Sequence, residues 1–129
     1  MDKLALLIVA MSIHEGWKPL NSDTGYAGSA SYRRHNPLNL RASPFAVGSD
    51  HGFCVFRNDA DGMAAARWDI VQKAKGNTQT GLGPNSTIAD LIRIWAPAAD
   101  NNDENAYLQA VLTMTGFSPT MSLEALISL

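Results

Sequence analysis

The residue best suited to acid–base chemistry is Glu15, which lies between an apolar and a polar part of the chain. An apolar segment, 4–13, precedes it, and an irregular stretch, 16–41, rich in Gly, Ser, Tyr, Arg and Asn, follows it. A carboxyl at the mouth of an apolar helix loses part of its hydration, which favours its protonated form. We therefore expect Glu15 to act as a general acid.

The elements that must position Glu15 are mostly helical. The first helix is predicted at about 3–15, because Gly16 stops it and Pro19 prevents its resumption. A second helix is predicted at about 59–75, capped by Asn58 or Asp59. A third is predicted at 88–95, with Thr87 and Asp90 as its capping box and Pro97 as its stop. The last two are predicted from Asn101 or Asn102 to Gly116 and at 122–129. Segments 38–41 and 52–57 have strand character and suggest a small hairpin. The fold class is therefore α+β, mainly helical.

Composition limits the classes of function. With 129 residues, 46% of them hydrophobic, the chain fits a single domain, 1–129, and we expect a monomer. A net charge of −2 without clustered Lys and Arg argues against a nucleic-acid partner. The single cysteine, Cys54, rules out an internal disulfide.

The N-terminal apolar run resembles a signal peptide only superficially. His14-Glu15-Gly16-Trp17 follows it instead of a small-residue cleavage site. The run is also about half of the ~20 residues needed to cross a bilayer. We therefore expect no membrane span and synthesis in the cytoplasm without export by a signal peptide.

Four ordered motifs carry a family resemblance. They are Ser29-Ala30-Ser31-Tyr32-Arg33-Arg34-His35-Asn36-Pro37-Leu38-Asn39-Leu40-Arg41; Phe53 to Phe56 with Asp59 and Gly62; Thr87-Ile88; and Trp95-Ala96-Pro97 with Asn102 and Tyr107. The first is similar to the Ser-Tyr-Arg-Asn-Asn-Pro-Gly-Asn-Leu-Arg signature of a phage and prophage family of peptidoglycan-cleaving domains in the lysozyme and lytic transglycosylase superfamily. The later motifs resemble that family's signatures in the same order.

The resemblance implies a lysozyme-like fold with a small β-hairpin after the first helix and with Glu15 facing a sugar-binding cleft. It implies an enzyme, a peptidoglycan glycosidase that cleaves the β-1,4 bond between N-acetylmuramic acid and N-acetylglucosamine without a cofactor. The enzyme is either a lytic transglycosylase, which we slightly prefer, or a muramidase. Its partner is the glycan strand, and it acts on the cell wall as a phage-encoded free endolysin or a virion component.

The second catalytic group stays open. Hydrolases use two carboxyls ~5 Å or ~6.5–9.5 Å apart, whereas a transglycosylase can work with one acid. Asp23 is the candidate, and an Asx-turn role before Thr24-Gly25 is the alternative. We expect Ile13 and Trp17 to form the apolar pocket around Glu15.

Substrate contacts are predicted from the same motifs. Amide and aromatic side chains suit the acetamido groups and the apolar sugar faces of a glycan. The candidate substrate-binding residues are Ser29, Ser31, Tyr32, Asn36, Asn39, Arg41 and Tyr107. Turn stabilisation is the alternative for Asn36 and Asn39. Trp68 and Trp95 are predicted to belong to the core.

Two departures from the family pattern and two rival functions remain. Leu38 and His35 stand where the signature has Gly and Asn, so the turn should not need a positive φ at Leu38.

A zinc amidase that cleaves the peptide stem would need metal ligands, and His51-x-x-Cys54 is a weak candidate pair, so we predict no metal. A wall-binding or virion domain without activity is the non-enzymatic alternative.

Overall fold

The computed structural model describes residues 1–96 and 103–128. Within them the chain forms the helices α1 (Lys3–His14), α2 (Ala30–Arg33), α3 (Asp59–Ala74), α4 (Ile88–Trp95), α5 (Glu104–Thr115) and α6 (Leu123–Ile127). The strands β1 (Gly48–Asp50) and β2 (Phe53–Val55) lie between α2 and α3 and pair antiparallel. The molecule is therefore a helix-rich α+β protein with a small two-stranded sheet in its described part.

Local capping signals fix several helix starts as predicted. Asn58 caps α3 by accepting a bond from the Asp61 N–H, and Thr87 with Asp90 forms the reciprocal capping box of α4. Such side chains satisfy amide groups that have no partner inside the helix. The last helix, α6, is shorter than the predicted 122–129 and begins after its cap Ser122.

The helix α5 ends where the sequence indicated. Gly116 adopts a left-handed φ of 73° and its N–H bonds to the Leu112 carbonyl. Its start is capped by Asp103, whose side chain accepts from Ala106. The predicted stop at Pro97 and the starts at Asn101 or Asn102 lie outside the described residues.

Most of the core is one cluster beneath the helices. Its fully buried members include Leu7, Ile8 and Met11 of α1, together with Ile70, Leu91, Ile92, Val111, Leu123 and Leu126 from the other long helices and α6. A second, smaller cluster formed by Leu40, Cys54, Phe56 and Ala65 supports the hairpin. Trp95 packs against both clusters and so joins the hairpin to the helices.

The strand prediction was correct for one strand and wrong for the other. β2 falls inside the predicted 52–57, but its partner is β1 at 48–50, and 38–41 is not a strand. Leu38 and Leu40 lie in a loop and are buried in the two core clusters, so their apolar character does not reflect a place in a sheet. Leu40 nevertheless lies beside β2, since its carbonyl accepts a bond from the Cys54 N–H.

Trp68 also departs from its prediction. Its side chain is 42% exposed and contacts Phe45 edge to face, with ring centroids 5.5 Å apart. Trp68 lies on the outer side of α3, because the buried positions of that helix are filled by Gly, Ala and Ile.

Among the described helices, none has the length and apolar character required to cross a membrane.

Candidate active site around Glu15

Glu15 occupies the C-terminal cap of α1. Its N–H bonds to the Met11 carbonyl at 2.8 Å, and Gly16, with a φ of 89°, turns the chain away from the helix axis. A positive φ is costly for residues with a Cβ, so glycine suits this turn. The turn leaves the Glu15 side chain half-buried at the end of an otherwise buried helix face.

Two side chains hold the two carboxylate oxygens of Glu15. Asn39 Nδ2 donates to Oε1 at 3.1 Å and also to the Glu15 carbonyl at 3.0 Å. The Tyr107 hydroxyl donates to Oε2 at 2.9 Å from α5, 92 positions along the chain. The carboxyl is thus fixed in one orientation by a loop and by a distant helix. We refer to Glu15, Asn39 and Tyr107 as the Glu15 cluster.

Tyr107 is suited to serve both protonation states of Glu15. Burial, and secondly the neighbouring Glu15 charge, raise the pKa of its phenol far above the usual value, so the phenol stays neutral. A neutral hydroxyl donates to a carboxylate and can turn to accept from a protonated carboxyl. The ring is 2% exposed and lies against His14, with centroids 4.1 Å apart. His14 is a member of this environment that sequence reasoning missed.

Asn39 is positioned by the backbone as well as by its side chain. It has a φ of 53°, and His35 in the same loop has a φ of 54°. Asn is among the residues that tolerate this left-handed region best. Leu38 is not among the residues with positive φ, as expected from its replacement of glycine.

Asn36 organises this loop from the inside. It is fully buried, and its amide donates to the carbonyls of Leu40 and Cys54 while its oxygen accepts from the Leu40 N–H. All of these partners are backbone groups of the loop or of β2. The predicted role in substrate binding is therefore not supported for Asn36, because its polar atoms are sequestered; the alternative, turn stabilisation, describes what it does.

Gly62 lets the loop approach α3 closely. A Cβ at this position would lie 1.8 Å from the His35 carbonyl oxygen, which no side chain can tolerate. His35 is also tied to the start of α3 through Nδ1 and the Asp59 carboxylate, 2.7 Å apart. The loop that carries Asn39 is thus packed directly against a long helix.

The serines and Tyr32 lie in and around the short helix α2. Ser29 caps it, and its hydroxyl also accepts from the Lys18 N–H at 3.0 Å and lies 3.2 Å from the Ser31 hydroxyl. Tyr32 contacts Trp17 edge to face at 5.3 Å. These residues connect α2 to the chain just after Glu15, but none of them bonds to the Glu15 side chain in the described structure.

Three residues that were predicted to surround or assist Glu15, namely Ile13, Trp17 and Asp23, are placed differently from that expectation. Ile13 is 54% exposed, so it does not wall a pocket for Glu15, and Trp17 packs on Tyr32 instead. Asp23 lies in an exposed loop closed by the Asn21–Tyr26 bridge, and its N–H bonds to the Asn21 side chain. The Asx turn is thus made by Asn21, and within the described residues the Asp23 carboxylate makes no hydrogen bond.

A groove adjoins the Glu15 cluster through Asn39. It has a volume of about 380 Å³, and its lining includes Arg41, Asp69, Lys73 and Trp95. Arg41 lies over the Phe53 ring, with its guanidinium carbon 4.4 Å from the ring centroid. Arg41 was nominated from the motif, whereas Asp69 and Lys73 were not among the candidate site residues, because their i,i+4 spacing indicates only an ion pair on a helix.

The possible metal pair does not assemble with other ligands. Cys54 is buried beneath the hairpin, where desolvation raises the pKa of its thiol, and His51 is exposed with Nδ1 2.6 Å from the Asp50 carboxylate. Across residues 1–96 and 103–128, His, Cys, Asp and Glu side chains form no group of three or more that could hold a metal ion.

Comparison with known proteins gives no family assignment. The chain matches no protein-family model, no curated protein and no solved structure. Its class therefore rests on the α+β fold and on the geometry around Glu15.

Proposed function

We propose that this protein is a peptidoglycan glycosidase of lysozyme-like fold, with Glu15 as the general acid. The observation that carries the proposal is the pair of bonds from Asn39 and Tyr107 that fixes both oxygens of a half-buried carboxyl at the end of α1. A glycosidic oxygen is a poor leaving group, and protonation by a positioned acid is the common solution. The motifs shared with the phage and prophage family supply the substrate class.

The reaction begins when the Glu15 carboxyl protonates the bridging oxygen of the β-1,4 bond between N-acetylmuramic acid and N-acetylglucosamine. The C1–O bond breaks, and the positive charge develops on the muramic acid ring. Asn39 and Tyr107 keep the resulting carboxylate in place. Glu15 can then act as a base towards the attacking hydroxyl, which restores the acid.

The attacking group distinguishes the two forms of the reaction. In a transglycosylase the 6-hydroxyl of the muramic acid attacks C1 and gives a 1,6-anhydro end. In a hydrolase water attacks, and Asp23 in the exposed loop is the candidate to orient it or to stabilise the ring cation. We favour the transglycosylase, because a single positioned acid is sufficient for it.

The test is digestion of purified peptidoglycan by the wild-type protein and by Glu15→Gln, with mass spectrometry of the released fragments. Gln keeps the shape of the side chain but cannot donate the acidic proton, so release should fall by about 10²–10⁴-fold while binding to the wall is retained. Glu124→Gln, at an exposed position of α6, is the matched control and should leave release unchanged.

The fragments themselves separate the alternatives. Ends of 1,6-anhydro-muramic acid identify a transglycosylase, and reducing muramic acid ends identify a hydrolase and make Asp23→Asn the next variant. Release of free stem peptides, an absence of any release, or equal activity of Glu15→Gln would each contradict the proposal.

A further inference from the structure

Arg41 presents an exposed positive charge that lies over an aromatic ring. Its guanidinium carbon lies 4.4 Å from the centroid of the Phe53 ring, and within residues 1–96 and 103–128 no carboxylate lies within ion-pair distance of it. Arg34 contacts the same ring at 4.9 Å but is neutralised by Asp50 at 2.8 Å. Of the two arginines on Phe53, Arg41 is therefore the one available to an external anion.

The contact with Phe53 also favours the binding of a carboxylate by Arg41. A guanidinium whose face lies on an aromatic ring keeps the N–H groups at its edge free, and those groups match the two oxygens of a carboxylate. Because Phe53 restrains the side chain, less conformational entropy is lost when an anion binds.

The groove that Arg41 lines has an excess of positive charge. Its charged side chains are Arg41, Lys73 and Asp69, which are two cations and one carboxylate. Lys73 is already paired with Asp69 and lies over the Trp95 ring, 5.0 Å from its centroid. The uncompensated charge is thus that of Arg41, in a chain whose net charge is −2.

This groove shares Asn39 with the Glu15 cluster. Asn39 lines the groove and also donates to the Glu15 carboxylate. The groove is therefore the candidate place for a substituent of a sugar that lies against Glu15. In peptidoglycan, N-acetylmuramic acid carries such a substituent, a lactyl group extended by an acidic peptide.

We infer that the groove beside Asn39 binds the stem peptide of peptidoglycan and that Arg41 recognises one of its carboxylates. The inference rests on the proposed function for the identity of the ligand, and it makes Arg41 a residue that determines specificity for peptide-bearing muramic acid over bare glycan.

The experiment measures binding rather than cleavage, by isothermal titration calorimetry. The ligands are the disaccharide N-acetylglucosaminyl-N-acetylmuramic acid carrying the stem peptide, the same compound with its peptide carboxylates amidated, and the disaccharide without peptide and with its lactyl carboxyl amidated. None contains the bond proposed to be cleaved. The variants are Arg41→Gln, Arg41→Lys and, as the matched control, Arg57→Gln, whose arginine is exposed, pairs with Asp61 and does not line the groove.

Arg41→Gln should weaken binding of the peptide-bearing disaccharide by about tenfold, as expected for loss of a charge-assisted contact, and should not change binding of the other two ligands. Arg41→Lys should retain part of the affinity, because it keeps the charge but loses the planar fork. Arg57→Gln should behave as the wild type. Raising the salt concentration should reduce the difference between the ligands.

The inference is overturned if Arg41→Gln binds the peptide-bearing disaccharide as well as the wild type does, if it loses affinity equally for all three ligands, or if the wild type does not bind the peptide-bearing disaccharide. Selective, Arg41-dependent binding by a protein that releases no fragments from peptidoglycan would support this inference and contradict the glycosidase.

Discussion

Replacement of Tyr107 by Phe tests the geometry of the site most directly. The change removes only the hydroxyl that donates to Glu15 Oε2 at 2.9 Å and keeps the ring against His14. A hydrogen bond to a charged group contributes about 1.5–3 kcal/mol when no other partner replaces it. Because Glu15 is only half-buried, water can take over part of that role, so we expect a loss of about 1 kcal/mol in the free energy of unfolding.

Under the proposed function, the same substitution should affect catalysis more than substrate binding. Without this hydrogen bond the Glu15 side chain is less restrained and spends less time in the productive orientation. An increase of about 1 to 1.4 kcal/mol in the activation free energy corresponds to a roughly five- to tenfold fall in kcat. We expect KM to be unchanged, since Tyr107 is 2% exposed and contacts Glu15 rather than the solvent-facing part of the site.

The assays are urea unfolding and release of fragments from peptidoglycan. Tyr26→Phe is the control for stability, because Tyr26 is 41% exposed and its hydroxyl makes no hydrogen bond within the described residues. A double-mutant cycle with Glu15→Ala should give a coupling of about 1 kcal/mol between the two positions. A coupling near zero, with unchanged kcat in Tyr107→Phe, would refute the idea that Tyr107 holds Glu15.

Three further changes probe the support of the site. Asn36→Ala removes three buried hydrogen bonds to backbone groups and should destabilise the protein by about 3 kcal/mol or more in urea unfolding. Gly62→Ala should prevent folding or lower the melting temperature strongly, because its Cβ would overlap a carbonyl oxygen, whereas Gly83→Ala should fold normally. The Arg67 hydrogen bond to Asp2 lowers the pKa of that carboxyl from 3.8 to about 2. This stabilisation is present above pH 3.8 and is lost as the pH falls through 2, so the urea midpoint of the wild type should fall more steeply than that of Asp2→Asn.

Each of these three has a clear contrary result. A loss below about 0.5 kcal/mol in Asn36→Ala would mean that water or a rearranged loop satisfies the backbone groups. Equal melting temperatures for Gly62→Ala and Gly83→Ala would contradict the close approach of the loop to α3. Parallel acid-unfolding curves for the wild type and Asp2→Asn would show that the ion pair does not couple to folding.

The sequence predicted best what is decided locally. The caps Asn58 and Thr87 and the glycine stop at Gly116 are short-range signals, since each bonds within a few residues along the chain. The helix boundaries that depend on them were therefore correct to within a residue or two.

What depends on distant packing was predicted less well. Segment 38–41 was predicted to be a strand, but its apolar residues belong to a loop that the Asn36 side chain organises, and they are buried in the core clusters. Trp68 was assigned to the core because a wide apolar stripe on α3 does not tell which of its edges faces solvent. The i,i+4 spacing of Asp69 and Lys73 on a helix indicates their ion pair, but it does not indicate that the pair would line a groove beside Arg41.

In the candidate site, too, the local features could be predicted and the contacts between distant parts of the chain could not. Glu15 was predicted as the acid from its place at the end of an apolar helix, and the resemblance supplied Asn39 and Tyr107 as candidate substrate-binding residues. Their direct bonds to Glu15 were not predictable, because they depend on the turn at Asn39 and on the docking of α5 against α1.

The bond between Tyr107 and Glu15 has a consequence for the order in which the protein matures. α1 is synthesised before α5 and α6, yet it packs against both of them. Contacts between such distant parts of a chain form slowly, since a large loop must close first. A nascent chain that ends before α5 already contains Glu15 but has no Tyr107 to hold it. The carboxyl is therefore set in its final orientation only after α5 has been synthesised and has docked against α1.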